Sequence, residues 1–312
     1  MNILIVQSTD SGVFYHRQLV PHYAWHDSGD VFQQDVIAIV ESRHHDKIVE
    51  LTDKYHFDII QFSVGVVVPS NMVFLVDFLK ARGTKVVVDI DDIYKNREDV
   101  AFSLKIADAV TTTSENMRKY IKQYTSAPCY IIENGIDSKE AQWQIRERTD
   151  DVLTFGYLGS TRHERDLKSM QYDFSTAKLH TVVEEYKEIL HVDTFSKLKH
   201  WSNYAYEYDV IDCAIAPLIK NEFNDAKSAL KIFEAGFKKK GIICTYTEPY
   251  SRYYNFDSII FIPKHKSWKS VIESLSLTDV KELGEQLYED VQPFEIRNLN
   301  KLRRDVYIDI VK

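Results

Sequence analysis

The sequence predicts an α/β protein of two consecutive units, each a parallel sheet with helices on both faces. Three observations predict it. Short Val/Ile-rich runs alternate with helical patterns of about ten residues, the mark of βαβ units. The alternation stops in a polar, charged stretch at 137–151 and then restarts. The chain has 312 residues, long for one core and sufficient for two α/β units of about 150 residues each.

In the first unit, residues 3–7, 36–40, 58–62, 85–89, 109–112 and 129–132 read as strands. Each is a short β-branched run that suits a sheet buried on both faces. Helical patterns lie near 13–25, 45–55, 70–82, 98–107 and 115–124. In the second unit the strands are expected at 153–158, 178–183, 188–192, 210–216, 241–246 and 258–262. Helices are expected at 162–171, 226–239, 266–274, 277–290 and 295–311. Leu299, Leu302, Val306 and Ile310 share one face of the last helix, a stripe that must be buried on its own unit or on the first. The expected domains are 1–145 and 151–292, with 293–312 as a terminal helix able to cross back to the first.

Composition excludes several classes. Hydrophobic residues make up 44% and charged residues 28%, so the chain folds rather than remaining disordered. The longest apolar runs, at 64–69 and 259–263, fall far short of a membrane span. No basic segment precedes the apolar N-terminus, which reads as a first strand rather than a signal peptide. Cys129, Cys213 and Cys244 are far apart and odd in number. They predict buried reduced thiols in a cytoplasmic protein, with neither a zinc site nor a disulfide framework. The net charge of −8 weighs against a large footprint on nucleic-acid phosphates. The basic clusters at 238–240 and at Arg297, Lys301, Arg303 and Arg304 read as solvated helix faces.

Four segments could carry chemistry. The first is 221–234, after the apolar strand that ends at Pro217. There Asn224 or Asp225 would cap a helix, and Lys227, Lys231 and Glu234, at i, i+4 and i+7, would share a face. Two ammonium groups and a carboxylate suit a ligand with both a diphosphate and ribose hydroxyls. The plain alternative is a solvated face on which a lysine pairs with Glu234. The second is 155–167: strand, Gly159, Ser160 and Thr161, then a helix. This is an anion-loop layout in which Arg162, His163 and Arg165 could reach phosphate. The third is Asp89, Asp91 and Asp92 at a strand's carboxyl end, able to bind a divalent cation, orient a hydroxyl or act as a base. The fourth is the loop at 8–12, where Gly12 permits close backbone approach and Arg17 could meet a phosphate. His22 and His26 lack a third metal ligand.

In order and spacing, these segments resemble the GT-B glycosyltransferases, especially compact bacterial and phage-encoded members of the retaining group-1 type. The likeness is carried by Tyr15, His16, Arg17 and Pro21 after the first strand, and by 85–92 with its aspartates. It continues through 107–114, the Glu133-Asn134-Gly135-Ile136-Asp137 segment, 155–167, and Ala216-Pro217-Leu218 with Lys227, Ser228, Lys231 and Glu234. The resemblance implies two Rossmann-like domains facing across a cleft, and transfer of a sugar from a nucleoside diphosphate sugar to an acceptor hydroxyl, with retention and without a catalytic metal or other cofactor. It implies Glu234 at the donor ribose, Lys227, Ser228 and Lys231 near the diphosphate or sugar, and the Gly159 loop by the nucleotide. Asp91 or Asp92 would stand on the acceptor side. The acceptor could be a modified base in phage DNA or a cell-envelope glycan. Rival readings are a sugar-nucleotide epimerase and a non-catalytic sugar-nucleotide-binding protein. Two positions depart from the pattern. Ala226 stands where the group often has a second glutamate. Ser160 and Asp166 stand where a basic pair is expected.

Overall fold

The computed structural model describes residues 1–7, 12–63, 70–94, 97–263 and 265–312. The loop at 8–11 and the apolar run at 64–69, both singled out in the sequence, lie outside the described residues. The chain forms two compact units. The first comprises Met1–Asp137, Ala226–Ser228 and Ile296–Lys312, and the second Ser138–Asp225 and Ala229–Glu295.

The first unit is built on six parallel strands, β1 (Asn2–Gln7), β2 (Val36–Glu41), β3 (Ile59–Ser63), β4 (Lys85–Asp89), β5 (Ala109–Thr112) and β6 (Cys129–Ile131), in the order β2-β1-β3-β4-β5-β6. Ile3, Ile59 and Val87 face one core with Trp25, and Leu4, Ile60 and Val86 face another with Val76 and Leu79. Alternate residues of each strand thus enter opposite layers, which is why these runs contain no polar face. The helix Ile296–Val311 closes one layer. Tyr307 is fully buried and stacks on Trp25 at 5.8 Å, and Asn300 Nδ2 donates to the Pro21 carbonyl at 2.7 Å. Leu299, Val306 and Ile310 are buried as the stripe requires, whereas Leu302 is exposed.

The second unit repeats the design with β7 (Thr154–Tyr157), β8 (Lys178–Thr181), β9 (Thr194–Phe195), β10 (Cys213–Ala216), β11 (Gly241–Thr245) and β12 (Ile259–Ile262), all parallel, in the order β12-β11-β10-β7-β8-β9. The strand order reverses between β7 and β10, so the carboxyl ends of these two strands mark the switch point where such sheets bind ligands. Gly284, in the helix Leu277–Asp290, lets that helix approach the backbone closely. A Cβ there would lie 2.8 Å from the carbonyl carbon of Lys239.

Several expectations are corrected. Residues 184–188 form a 3-10 turn, and the strand expected at 188–192 is the two-residue β9 further on. Trp201–Val210 is a 3-10 segment, so the strand read from 210 begins at Cys213. The helix expected over 226–239 spans only Leu230–Phe237, after a separate turn Glu222–Asp225. Its N-cap is Ala229 without a side-chain cap, in place of Asn224 or Asp225. The physical reason lies in Ala226. Its carbonyl, which a continuous helix would offer to the amide four residues on, accepts instead from Ser114 Oγ at 3.0 Å.

The basic clusters are solvated only in part: Lys301 is exposed and Lys239 half-buried, while the others turn inward or pair. Lys238 is buried, with Nζ donating to the carbonyls of Gln142 (3.0 Å) and Gln144 (2.9 Å) and lying 2.5 Å from Asp209. Arg303 is buried and donates to Asn300 Oδ1, Arg304 pairs with Asp35 at 2.9 Å, and Arg297 with Asp137 at 2.8 Å. Cys213 and Cys244 are buried and Cys129 half-buried, all free thiols.

Candidate functional site

Chemistry-bearing side chains gather at the carboxyl ends of strands in each unit. In the first unit they surround the end of β4. Arg17, expected at a donor phosphate, lies in the core. Its Nε and Nη2 donate to the two oxygens of Asp89 at 3.0 and 2.6 Å, and its Nη1 donates to the Ile132 carbonyl and to Asn134 Oδ1. Burial works against this guanidinium's charge, but Asp89 outweighs it and raises the pKa above the ordinary value. Arg17 is thus spent on Asp89. Thr111 Oγ1 donates to the same carboxylate at 2.6 Å.

Asp91 has a different environment. It is half-buried, and one carboxylate oxygen is out of solvent with no hydrogen-bond partner among the described residues. Burial, then the neighbouring charge of Asp92, pushes its carboxyl up to about 7, against the pull of Arg17. Burial and the same aspartates raise the Tyr94 phenol. The segment Ala226–Ser228 completes the group. Lys227 Nζ stands 3.9 Å from Asp92 Oδ1, and Ser228 Oγ accepts from Asn134 Nδ2 at 2.9 Å. Lys227 and Ser228 therefore join Asp92 and Asn134 in this unit rather than lining up with Lys231 and Glu234 on one helix face. Gly12 is exposed at the start of a helical turn, Gly12–Phe14, and a Cβ built on it would meet nothing within 4 Å.

In the second unit the group lies at the ends of β7 and β10. Gly159 follows β7 closely, and a Cβ there would strike the Tyr157 side chain. Ser160 and Arg162 are exposed and His163 is half-buried. Tyr186 Oη donates to the Ser160 carbonyl at 2.7 Å and accepts the His163 N–H at 3.3 Å, which fixes the loop's path. Asp166 braces it from below. It meets His163 Nδ1 at 2.6 Å and accepts from the Ile219 amide and Asn224 Nδ2 at 2.8 and 2.9 Å. Burial would raise Asp166, but the His163 and Ile219 hydrogen bonds prevail and lower it. A carboxylate at this position in place of a basic residue thus has a structural task.

Lys231 and Glu234 sit on the helix Leu230–Phe237. Lys231 Nζ donates to Glu234 Oε2 at 2.8 Å, and Tyr208 Oη donates to the same oxygen at 2.8 Å. Glu234 is 2% exposed, whereas the Lys231 side chain keeps 30%. Tyr204, Tyr208 and Tyr186 are not legible in the sequence as site residues. The only signal was the run Trp201, Tyr204, Tyr206 and Tyr208, dense in aromatics just before a strand. Among the described residues, no three His, Cys, Asp or Glu side chains form a metal-binding cluster, and no helix is long and apolar enough to cross a membrane.

No protein-family model matches the sequence, and no curated protein matches it. Solved structures do match in fold. HepE from Anabaena, solved with UDP and glucose, superposes with a TM-score of 0.65 at 10% identity over 98% of this chain and 99% of that one. AviGT4, a glycosyltransferase of avilamycin A biosynthesis, gives 0.59 at 9% identity over 100% and 98%. A UDP-forming trehalose-phosphate synthase from Burkholderia xenovorans gives 0.61 at 8% over 99% and 98%. Two six-stranded parallel sheets in tandem, matched along nearly the full length of each of these proteins, give the chain the GT-B fold of two Rossmann-like units.

Proposed function

We propose that the chain is a glycosyltransferase that moves a sugar from a nucleoside diphosphate sugar to an acceptor hydroxyl, with retention at the anomeric carbon. One observation carries the reading: a partly exposed ammonium, Lys231, anchored beside the Gly159 loop at the strand-order reversal of the second unit. A departing diphosphate gains negative charge, and a fixed cation at that point stabilises it. The solved GT-B proteins include one holding UDP and glucose, and UDP is the first donor nucleotide to test.

The donor set is Gly159, Ser160, Arg162 and His163 at the nucleotide and phosphates, with Lys231 at the diphosphate. In the first unit, Lys227, Ser228 and Gly12 are assigned to donor binding from the resemblance of their segments. Glu234 belongs to the same donor group, and Arg17 leaves it for the core. Asp91, with Asp92 beside it, orients the acceptor hydroxyl, accepting its proton in a hydrogen bond when ionised. No metal or cofactor takes part in this scheme. The acceptor hydroxyl belongs to a modified DNA base or to a cell-envelope glycan. Mass spectrometry of total nucleosides and envelope glycans, with and without the gene, distinguishes the two.

The test is a panel of nucleoside diphosphate sugars, read by thermal shift and by release of the nucleoside diphosphate. At least one should bind and be hydrolysed slowly without acceptor. Absence of binding across the panel at millimolar concentration sinks the proposal. A changed sugar in the recovered donor, seen by NMR with no acceptor present, would make the protein an epimerase.

A further inference from the structure

The donor-side group contains a bridge that links its cation to its glycine loop. Tyr204, in the 3-10 segment Trp201–Val210, accepts from Lys231 Nζ at 2.5 Å and donates to the carbonyl of Leu158, the residue before Gly159. Lys231 Nζ lies 4.7 Å from the centroid of the Tyr204 ring, at its hydroxyl edge, so the hydroxyl rather than the ring face meets the ammonium. With Glu234 Oε2 as the second acceptor, two of the ammonium's three N–H groups point into the protein. The side chain is still partly exposed. An unanchored lysine would lose rotamer freedom on binding a ligand, and this one has already lost it on folding.

We propose that Tyr204 is a positioning residue whose hydroxyl, bridging Lys231 Nζ and the Leu158 carbonyl, holds the ammonium in register with the Gly159 loop to receive the phosphates of a nucleoside diphosphate, while Glu234 anchors that ammonium rather than binding ribose. The inference rests on the donor site proposed above. It separates two energies that a nucleotide site usually mixes: the bridge serves the phosphates and leaves the nucleoside unaffected.

Tyr204→Phe keeps the ring and removes only the hydroxyl. Calorimetry on the full chain would compare UDP with uridine, or another nucleoside diphosphate with its own nucleoside if the wild type binds that instead. Tyr204→Phe should weaken the diphosphate about tenfold, the scale of one hydrogen bond to a charged group, and leave the nucleoside within about twofold. In a Lys231→Met background, Tyr204→Phe should cost the diphosphate nothing further. Equal weakening of both ligands, no change in either, or a full tenfold loss in the Lys231→Met background would overturn the bridge while leaving the donor site standing. Failure of the wild type to bind any nucleoside diphosphate would remove the donor site itself and the bridge with it. Circular dichroism of each variant establishes that it is folded. If Tyr204→Phe does not fold, Lys231→Met and Glu234→Gln carry the comparison: both should weaken the diphosphate and spare the nucleoside, whereas weaker nucleoside binding in Glu234→Gln would return Glu234 to the ribose and overturn the assignment.

Discussion

Asp89→Ala should destabilise the first unit more than a typical surface change by several-fold. The carboxylate accepts from Arg17 Nε at 3.0 Å, from Arg17 Nη2 at 2.6 Å and from Thr111 Oγ1 at 2.6 Å. Both ionic partners are nearly sealed from water, at 2% and 5% exposure, so solvent does not screen the pair. Removing one member leaves a guanidinium buried without its counter-charge, which costs about 3–5 kcal/mol. For a unit of this size that is a fall of roughly 6–20 °C in unfolding temperature. Hydrogen exchange read by mass spectrometry resolves the effect by region. Peptides from β4 and β5 should lose protection, and those from β10 and β11 should keep it, because all these partners lie within the first unit. Arg17→Met combined with Asp89→Leu should recover much of the loss, since an apolar pair leaves no orphan charge. An Asp89→Ala protein that melts within about 2 °C of wild type, or a double variant no better than the single, would refute the account of the pair.

Two further outcomes follow from particular contacts. The Asp91 carboxyl is held at about 7, so the fold keeps a proton there that the unfolded chain releases near the usual carboxylate range, and this group's contribution to stability falls as pH rises from about 4 through 7. Asp91→Asn should therefore raise the unfolding temperature at pH 8 by a few degrees and leave it unchanged at pH 4, and it should flatten a rise in transferase rate through pH 7; equal shifts at both pH values would contradict the assignment. Gly284→Ala would press a methyl group against the Lys239 carbonyl, which neither helix nor turn can easily yield, at a cost of about 1–3 kcal/mol; unchanged urea unfolding of the second unit would show that the helix gives way freely.

The fold was legible where one residue type repeats over a strand's length. β1, β4 and β11 hold runs of Ile, Val and Leu in buried parallel sheets, and their ends fall within a residue or two of expectation. β9 was not legible, because two residues cannot carry a period. Legibility failed again wherever a distant partner decided local structure. Ser114 takes the Ala226 carbonyl across 112 positions, and the helix starts later than the local pattern places it. Lys238 looks like part of a basic surface run until the carbonyls of Gln142 and Gln144 are seen to enclose it. The candidate site shows the same division. Lys231, Glu234 and the Gly159 loop were visible as residue types at known spacing. Arg17 was visible too, but nothing nearby in sequence indicates that Asp89, 72 positions on, consumes it. Tyr204 acts through a carbonyl 46 positions back, which no composition or spacing reveals.

The first unit is assembled from three stretches of chain, the last of them Ile296–Lys312. On a ribosome, most of its sheet emerges early, yet Trp25, Ile3 and Ile59 keep an uncovered flank until Val306, Tyr307 and Ile310 have been made. The second unit is synthesised in between and can fold first. A chain that begins its sheet at residue 2 thus finishes that domain last, and a stalled or shortened product would display an apolar flank for chaperones to hold.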